Sequence, residues 1–294
     1  MTSSSQFRRF AKEMKTNKAF SRRKYHVDDN FFDEMNDIQY WMLGLFASDG
    51  YVWGNNALLS QSGDAGLKLV EYTRGLLHCT APITSKKPDI GQEVHRIQFS
   101  SEKITNVFKQ FGIVQNKTKV FCMPDIPDHY LPSFLAGYVE GDGCITIAKY
   151  DHATDMLCAS FVGNKDFIEE CARKIPVKGK VRKHSMSDIY EIRWYSEKAI
   201  QFCEWIYGSA ELYHSYKYEN YINGKELYGN SRYAKSKALQ EKIIADYNSG
   251  LFNTGKECAD KYGLREQTVF RWLKKWLENG LINRDYHIVR VMPA

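Results

Sequence analysis

A nine-residue segment that occurs twice is the sequence feature that most constrains the fold. The first copy, at residues 42–50, reads MLGLFASDG, and the second, 93 residues later at 135–143, reads LAGYVEGDG. Each copy ends a helix-like stretch and leads into a β-like one. A further match pairs the Ser-Glu-Lys segment that begins at Ser101 with the one that begins at Ser196. The sequence therefore predicts two halves built on one plan.

Each half is predicted to run helix, two strands, helix, two strands, helix. In the first half we predict helices at about 37–48, 65–78 and 101–111, with strands near 51–61, 82–88 and 93–100. In the second half we predict helices at about 132–141, 165–174 and 197–207, with strands near 144–150, 156–163, 179–184 and 188–195. Helices that alternate with strand pairs, not with single strands, predict an α+β fold with one sheet in each half.

The two copies also predict a meeting of two carboxylates. Each copy has small residues at three- to four-residue spacing, including Gly44 in the first and Gly137 in the second. Such residues allow two helices to approach closely. Packing of the two copies against each other would bring Asp49 and Asp142 together at the negative ends of both helices, where they repel unless a cation is present. Hard oxygen ligands suit Mg²⁺, and paired metals suit phosphoryl displacement. A single helix ending in Asp-Gly is usually only a helix cap, but duplication favours the functional interpretation.

Both segments resemble the signature of the LAGLIDADG homing endonucleases, in the single-chain form with two motifs. The second copy is close to the motif, whereas the first departs from it at Leu43 and at Ala47, where an acidic residue often stands. The aspartate that precedes the last glycine is present in both copies. The resemblance covers about residues 25–229 and implies two pseudo-symmetric αββαββα subdomains that form a saddle over double-stranded DNA.

The resemblance also implies a chemistry. We expect a site-specific double-strand break that depends on Mg²⁺, with Mn²⁺ or Ca²⁺ able to substitute for binding, and with 3′ overhangs. Asp49 and Asp142 would be catalytic and would hold the metals, together with Gly50 and Gly143. Members of the family place a polar or basic group beside the metal. The candidates for that auxiliary role, paired through the match of Gly63 with Gly163, are Asp64 and Asn164.

Strand alternation predicts which side chains face DNA. If Ile145 and Ile147 face the helices, the residues between them point outward, and the same argument applies to the last strand of each half. The predicted DNA-contacting set is Arg96, Gln98, Thr146, Tyr150 and Arg193. Arginine with guanine and glutamine with adenine are favourable pairs in the major groove. The same pattern also fits solvated strand residues.

Residues 230–294 do not follow the sequence pattern of the repeated halves. The sequence predicts helices at about 240–248, 255–261 and 265–278, and the segment CADKYGLREQTVFRWL resembles the small helix-turn-helix of transposases and phage regulators. The third helix would present Gln267, Arg271 and Lys274 to DNA. A plain helical hairpin would show the same apolar spacing.

Charge is unevenly distributed along the chain. Residues 1–24 carry eight basic groups against one acidic group, and residues 230–294 carry twelve against seven, so the stretch between them has a net charge of −6. Basic flanks favour a polyanion partner held by the ends, although solvated basic tails would give the same count.

These observations predict four parts: a basic arm over 1–24, subdomains over 25–123 and 124–229, and a helix-turn-helix domain over 230–294. We expect a monomer that binds double-stranded DNA, with intron RNA as a further possible partner. An intron maturase and a non-cleaving DNA-binding regulator remain alternatives. Seven cysteines without a C-x-x-C pair favour a reducing compartment. With no apolar leader or membrane-length segment, we expect a cytoplasmic or nucleoid-associated protein of bacterial or phage type, with an organelle left open.

Overall fold

The first half of the chain folds as helix, strand pair, helix, strand pair and helix. The computed structural model describes residues 23–150, 154–184, 188–208, 212–252 and 254–282, without the side chains of Tyr150, Thr154, Arg232 and Tyr233. The elements of the first half are α1 (Asp37–Ser48), β1 (Gly50–Trp53), β2 (Asn56–Ser62), α2 (Gly63–Leu76), β3 (Thr84–Lys86), β4 (Val94–Ser100) and α3 (Glu102–Gln110). The predicted order of elements is confirmed in this half.

The second half repeats that order after a connector with two short 3₁₀ turns. Its elements are α4 (Leu131–Asp142), β5 (Gly143–Tyr150), β6 (Thr154–Gly163), α5 (Lys165–Lys174), β7 (Lys180–Lys183), β8 (Tyr190–Tyr195) and α6 (Glu197–Tyr207). Asn164 begins α5 as its N-cap, because its side chain accepts a hydrogen bond from the Phe167 N–H at 3.0 Å. The mixed α/β architecture predicted from the duplication is therefore present in both halves.

Two four-stranded antiparallel sheets share one topology. Their strand orders are β1-β2-β4-β3 and β5-β6-β8-β7. Arg96 of β4 lies opposite Ser60 of β2, and Arg193 of β8 lies opposite Ser160 of β6. One face of each sheet packs on helices and buries side chains such as Ile97 and Trp194. The other face consequently carries the residues between them.

The helices α1 and α4, which contain the repeated segment, form the centre of the fold. Both are apolar around most of their circumference, which is typical of helices inside a core. A Cβ atom added at Gly44 would lie 1.8 Å from the carbonyl oxygen of Phe134, and one added at Gly137 would lie 1.9 Å from that of Trp41. Only glycine permits this backbone contact, so the two small residues set the distance between the helices.

Further helices follow the second half. They are α7 (Tyr216–Asn230), α8 (Arg232–Asn248), α9 (Gly255–Tyr262) and α10 (Glu266–Glu278). α8 is longer than the helix predicted at about 240–248, since it begins at Arg232. Ser231 causes the early start, since its hydroxyl caps α8 by accepting from the Ala234 N–H at 3.1 Å.

The chain divides into two compact units, Met1–Lys225 and Glu226–Ala294. The second unit has its own apolar core, which includes Tyr247, Val269, Leu273 and Trp276. The finer division into four parts stays a prediction, and residues 1–22 of the predicted basic arm lie outside the described residues. Among the described helices, none has the length and apolar content needed to cross a membrane.

Candidate nucleic-acid cleavage site

Asp49 and Asp142 lie where the two central helices end. Asp49 is the C-cap of α1 and its N–H donates to the carbonyl of Leu45 at 3.0 Å, whereas Asp142 is the last residue of α4. A Cβ atom added at Gly141 would lie 2.6 Å from Oδ2 of Asp49, so this carboxylate touches the second motif beside Asp142. The fold thus brings together two acids that are far apart in sequence.

Burial and mutual repulsion disfavour the charged forms of these acids. Burial, followed by the neighbouring charge of Asp49, raises the pKa of Asp142 to about 6, although Lys117, Tyr138 and Lys217 act in the opposite direction. Burial also raises the pKa of Asp49, although a hydrogen bond from Gln61 and two nearby lysines oppose this shift. A pair of carboxylates with raised pKa values is a strong attractor for a cation.

Two buried lysines approach the carboxylates, one from each half. Lys117 lies in a 3₁₀ turn after α3 and is 9% exposed, and Lys217 lies in the first turn of α7 and is 4% exposed. Burial lowers the pKa of both, while the charges of Asp49 and Asp142 act in the opposite direction. Sequence reasoning missed these lysines, which follow the last helix of their half by seven and ten residues.

The lysines bond to different places. The Nζ of Lys117 donates to the carbonyl of Gly50, directly after the first motif. The Nζ of Lys217 donates to the carbonyls of Val139 and Glu140, each at 2.7 Å, inside the second motif. The two halves of the site are therefore not equivalent.

Two further polar residues strengthen this asymmetry. The Nε2 of Gln61 donates to Oδ2 of Asp49 at 2.7 Å, whereas strand register places Gly163 at the matching position of the second half. Glu140 occupies the position in the second motif that Ala47 has in the first. It is 6% exposed and accepts a hydrogen bond from the Ser215 hydroxyl at 3.1 Å. Burial raises the pKa of Glu140 to about 7. Neither residue had been predicted as part of the site.

The donor set fits a hard divalent cation. Within the described ranges no group of three or more His, Cys, Asp or Glu side chains could hold a metal. Mg²⁺ does not need such a group, because it commonly binds one or two carboxylates and keeps water or substrate phosphate as its other ligands. The carbonyl of Gly50 already accepts from Lys117, and Gly143 begins β5 opposite Phe161. Their predicted role as ligands stays a prediction.

The two predicted auxiliary residues occupy unlike positions. Asp64 lies exposed in the first turn of α2. Asn164 caps α5 and its amide donates to the carbonyl of Phe121 at 2.7 Å, which is a structural use of the side chain. The match of Gly63 with Gly163 set these two residues in parallel, but the helix caps align Asn164 with Ser62 instead. Asn164 lines one cavity with Asp142 and Lys117, whereas Gln61 bonds directly to a site carboxylate; the auxiliary role of Asp64 and Asn164 stays a prediction.

The first sheet places Arg96 and Gln98 on its outward face. Both are exposed, and the alternating residues Ile97 and Phe99 are buried. The Nε of Arg96 donates to the Ser60 hydroxyl at 3.2 Å. Both side chains are available to a ligand on this face.

The second sheet places Thr146 and Arg193 on the corresponding face. Thr146 is half-buried beside Cys158, and Arg193 is half-buried and bonded to the carboxylate of Glu191. The side chain of Tyr150, predicted for the same face, lies outside the described residues. Sequence reasoning had not identified Glu191, because a single acid in a strand carries no recognisable pattern.

The second unit aligns its three predicted residues. Gln267, Arg271 and Lys274 are all exposed on α10, and their spacing of four and three residues puts them on one face. The turn before α10 contains Gly263 with φ of 63°, a left-handed conformation that favours glycine. The Leu273 side chain on the opposite face is fully buried.

Comparison with known proteins gave structural neighbours alone. No family model matches the sequence, and neither does any curated protein. The solved structures that are similar include LAGLIDADG homing endonucleases. I-LtrWI bound to target DNA has 13% identity and a TM-score of 0.46 over 68% of this chain and 95% of its own. I-SmaMI bound to uncleaveable DNA has 14% identity and a TM-score of 0.45 over 66% and 89%. Mesophilic variants of I-DmoI have 16% identity and a TM-score of 0.39 over 59% and 97%.

Proposed function

We propose that this chain is a site-specific DNA endonuclease of the LAGLIDADG type that makes a Mg²⁺-dependent double-strand break. The observation that carries the proposal is the meeting of Asp49 and Asp142 at the ends of two packed helices, with a buried lysine from each half beside them. Two repelling acids that are half-buried at such a point are costly unless they bind a cation.

The chain's own residues account for the main requirements of phosphodiester hydrolysis. Asp49 and Asp142 would hold Mg²⁺, which when bound neutralises charge on the attacking and leaving oxygens. Lys117 and Lys217 place positive charge where a phosphate would lie and can donate hydrogen bonds to its oxygens. Gln61 holds one oxygen of Asp49 and so fixes the orientation of that carboxylate. Gly50 and Gly143 are the candidates for backbone ligands.

The remaining surfaces supply DNA binding. The outward faces of the two sheets carry Arg96, Gln98, Thr146 and Arg193, with Tyr150 predicted on the same face, and would read base edges in the major groove. Gln267, Arg271 and Lys274 would extend the contacts as the recognition helix of a helix-turn-helix domain over 230–294. The basic residues of 1–24 would add phosphate contacts. Because both subdomains, 25–123 and 124–229, belong to one chain, we propose that it acts as a monomer.

Selection from DNA tests the proposal. The full chain is incubated with a library of random duplexes, with Mg²⁺ or with EDTA, and the new ends are sequenced. The proposal requires ends that appear with Mg²⁺ alone and that define one long site. Sequence-specific binding without cleavage would instead support the non-cleaving regulator, and preferential binding of structured RNA would support the maturase.

A further inference from the structure

Glu191 is a buried acid on the sheet face that we propose for DNA binding. Its side chain is 3% exposed, whereas Arg182 and Arg193 on the same face are 48% and 28% exposed. A carboxylate at this depth, on a surface meant for a polyanion, would be unfavourable both for folding and for binding. It therefore requires a compensating role.

Three neighbours satisfy the carboxylate. The Nε of Arg182 donates to Oε2, and the Nε of Arg193 donates to Oε1 at 3.0 Å, joined by its Nη2. The Ser160 hydroxyl also bonds to the acid. Burial raises the pKa of Glu191, but the hydrogen bonds from the two arginines outweigh burial and the net pKa is lowered. Glu191 is thus a charged centre that two guanidinium groups share.

This arrangement fixes Arg193. Its guanidinium carries five N–H donors, and the bonds through Nε and Nη2 to one oxygen set the orientation of the plane. The ring of Tyr195 lies 6.0 Å from the guanidinium carbon and supports it from another direction. An arginine held in this way loses less side-chain freedom on binding a base than a free one.

The first sheet provides an internal comparison. Gln98 occupies the place of Arg193 and Arg96 that of Glu191, because Ser101 and Ser196 begin the helices that follow these strands. The pair of Thr84 and Arg96 then stands where the second sheet has Arg182 and Glu191. Arg96 bonds to the hydroxyl of Ser60, so the first sheet has an arginine beside a neutral group where the second sheet has a carboxylate that holds two arginines.

We propose that Glu191 is a positioning residue for sequence recognition, which holds Arg182 and Arg193 in the orientation that donates to guanine. The inference rests on the proposed DNA-binding function and adds a difference between the halves. The base pair read by Arg193 should be recognised more stringently than the one read by Arg96.

The experiment selects preferred duplexes by binding, so that it does not depend on metal chemistry. Arg193→Ala and Arg96→Ala first identify the base pair whose preference each arginine determines. Glu191→Gln, which keeps an acceptor oxygen and removes the charge, is then compared with the wild-type protein. We expect the preference at the base pair of Arg193 to fall by about tenfold, a share of the discrimination that one bidentate contact gives. The preference at the base pair of Arg96 should stay within about twofold.

Each other outcome has a defined meaning. An unchanged preference at the base pair of Arg193 would overturn the inference, and so would tighter binding with a steeper salt dependence and no change in preference, since Glu191 would then merely sequester the arginine. If Glu191→Gln does not fold, Glu191→Asp, whose shorter side chain misplaces the carboxylate, replaces it, and an unchanged preference at that base pair then overturns the inference. Failure of the wild-type protein to select any sequence would refute the proposed DNA function itself, whereas selection without cleavage would leave the role of Glu191 intact.

Discussion

Lys117 and Lys217 approach the same two carboxylates but are anchored in different halves of the chain. Lys117 bonds to the backbone just after the first motif, and Lys217 bonds to the backbone within the second. Each ammonium group is buried and acts on both Asp49 and Asp142. Replacement of one lysine therefore removes positive charge from one side of the site and leaves the other side in place.

We expect Lys117→Met and Lys217→Met to slow the cutting of opposite DNA strands. Each variant should lower the rate on one strand by on the order of tenfold or more, because the hydrogen bonds to one phosphate are lost. Nicked plasmid should then accumulate, with the nick in different strands for the two variants. Lys103→Met, which alters an exposed lysine paired with Asp33, is the control and should cut normally. Equal slowing of both strands by each variant would contradict this assignment.

Asp49→Asn and Asp142→Asn should each abolish double-strand cleavage while sparing DNA binding. Asparagine keeps the shape of the side chain but lacks the charge that holds Mg²⁺, so we expect a loss of roughly a hundredfold or more. Cleavage and gel-shift assays on one duplex separate the two effects. Asp64→Asn is the matched control, since Asp64 is exposed in the first turn of α2. Wild-type rates from either active-site variant would refute the metal assignment.

The metal-free protein should lose stability as the pH rises from about 4 to 6. The folded-state pKa of Asp142 is about 6, above the usual value, so the folded protein binds this proton more tightly than the unfolded chain does. Stability is therefore greatest below the unfolded pKa and declines until the folded pKa is passed. Asp142→Asn should flatten this decline and raise stability at pH 7 by up to about 3 kcal/mol. Urea titrations in EDTA at several pH values measure the free energy of unfolding. A variant whose stability falls with pH as steeply as that of the wild-type protein would contradict the prediction.

Gly44→Ala and Gly137→Ala should destabilise the fold by several kcal/mol. The added methyl group would overlap a carbonyl oxygen of the facing helix, and the helices must separate to accept it. Gly75→Ala is the matched control, because Gly75 also lies in a helix but its added Cβ meets no atom within 4 Å. The control should be neutral or slightly stabilising, by about 0.5–1 kcal/mol. Chemical denaturation gives the free energy of unfolding of the three variants. Equal losses in all three would show that close approach of the two helices is not the cause.

Arg271→Ala and Lys274→Ala should weaken DNA binding and reduce its dependence on salt. Each lost phosphate contact lowers the slope of log affinity against log salt by about one unit. Lys237→Ala changes a lysine of α8 that pairs with Glu241, and it should leave the slope unchanged. Fluorescence anisotropy at several salt concentrations gives the slopes. A slope that is the same in all three variants would indicate that α10 does not face DNA.

The duplicated segment made much of the fold predictable. Because the motif recurs, weak periodicity in one half could be checked against the other, and the helix predicted at 37–48 agrees with Asp37–Ser48. The start of α8 was missed because Ser231 is a single capping residue inside a polar stretch that otherwise reads as a linker. Local capping chemistry of this kind has little weight in a periodicity argument.

The carboxylates of the site were predictable, whereas their neighbours were not. Asp49 and Asp142 belong to a repeated pattern, but Lys117, Lys217 and Gln61 are single residues whose importance depends on tertiary position. The pairing of Asp64 with Asn164 shows the same limit. The sequence match paired Gly63 with Gly163, whereas the helix caps pair Ser62 with Asn164. A lysine that follows the last helix of each half is the only sequence signal that could have indicated the cationic part of the site.

The unlike side chains at matched positions of the two sheets have a consequence for any duplex that both sheets contact. Gln98 and Arg193, or Thr84 and Arg182, are not complementary to the same bases, even though their backbones are related by pseudo-symmetry. The preferred DNA sequence would therefore not be palindromic. A protein bound to such DNA would lie in a single orientation along the duplex, so each sheet would always contact the same half of the site.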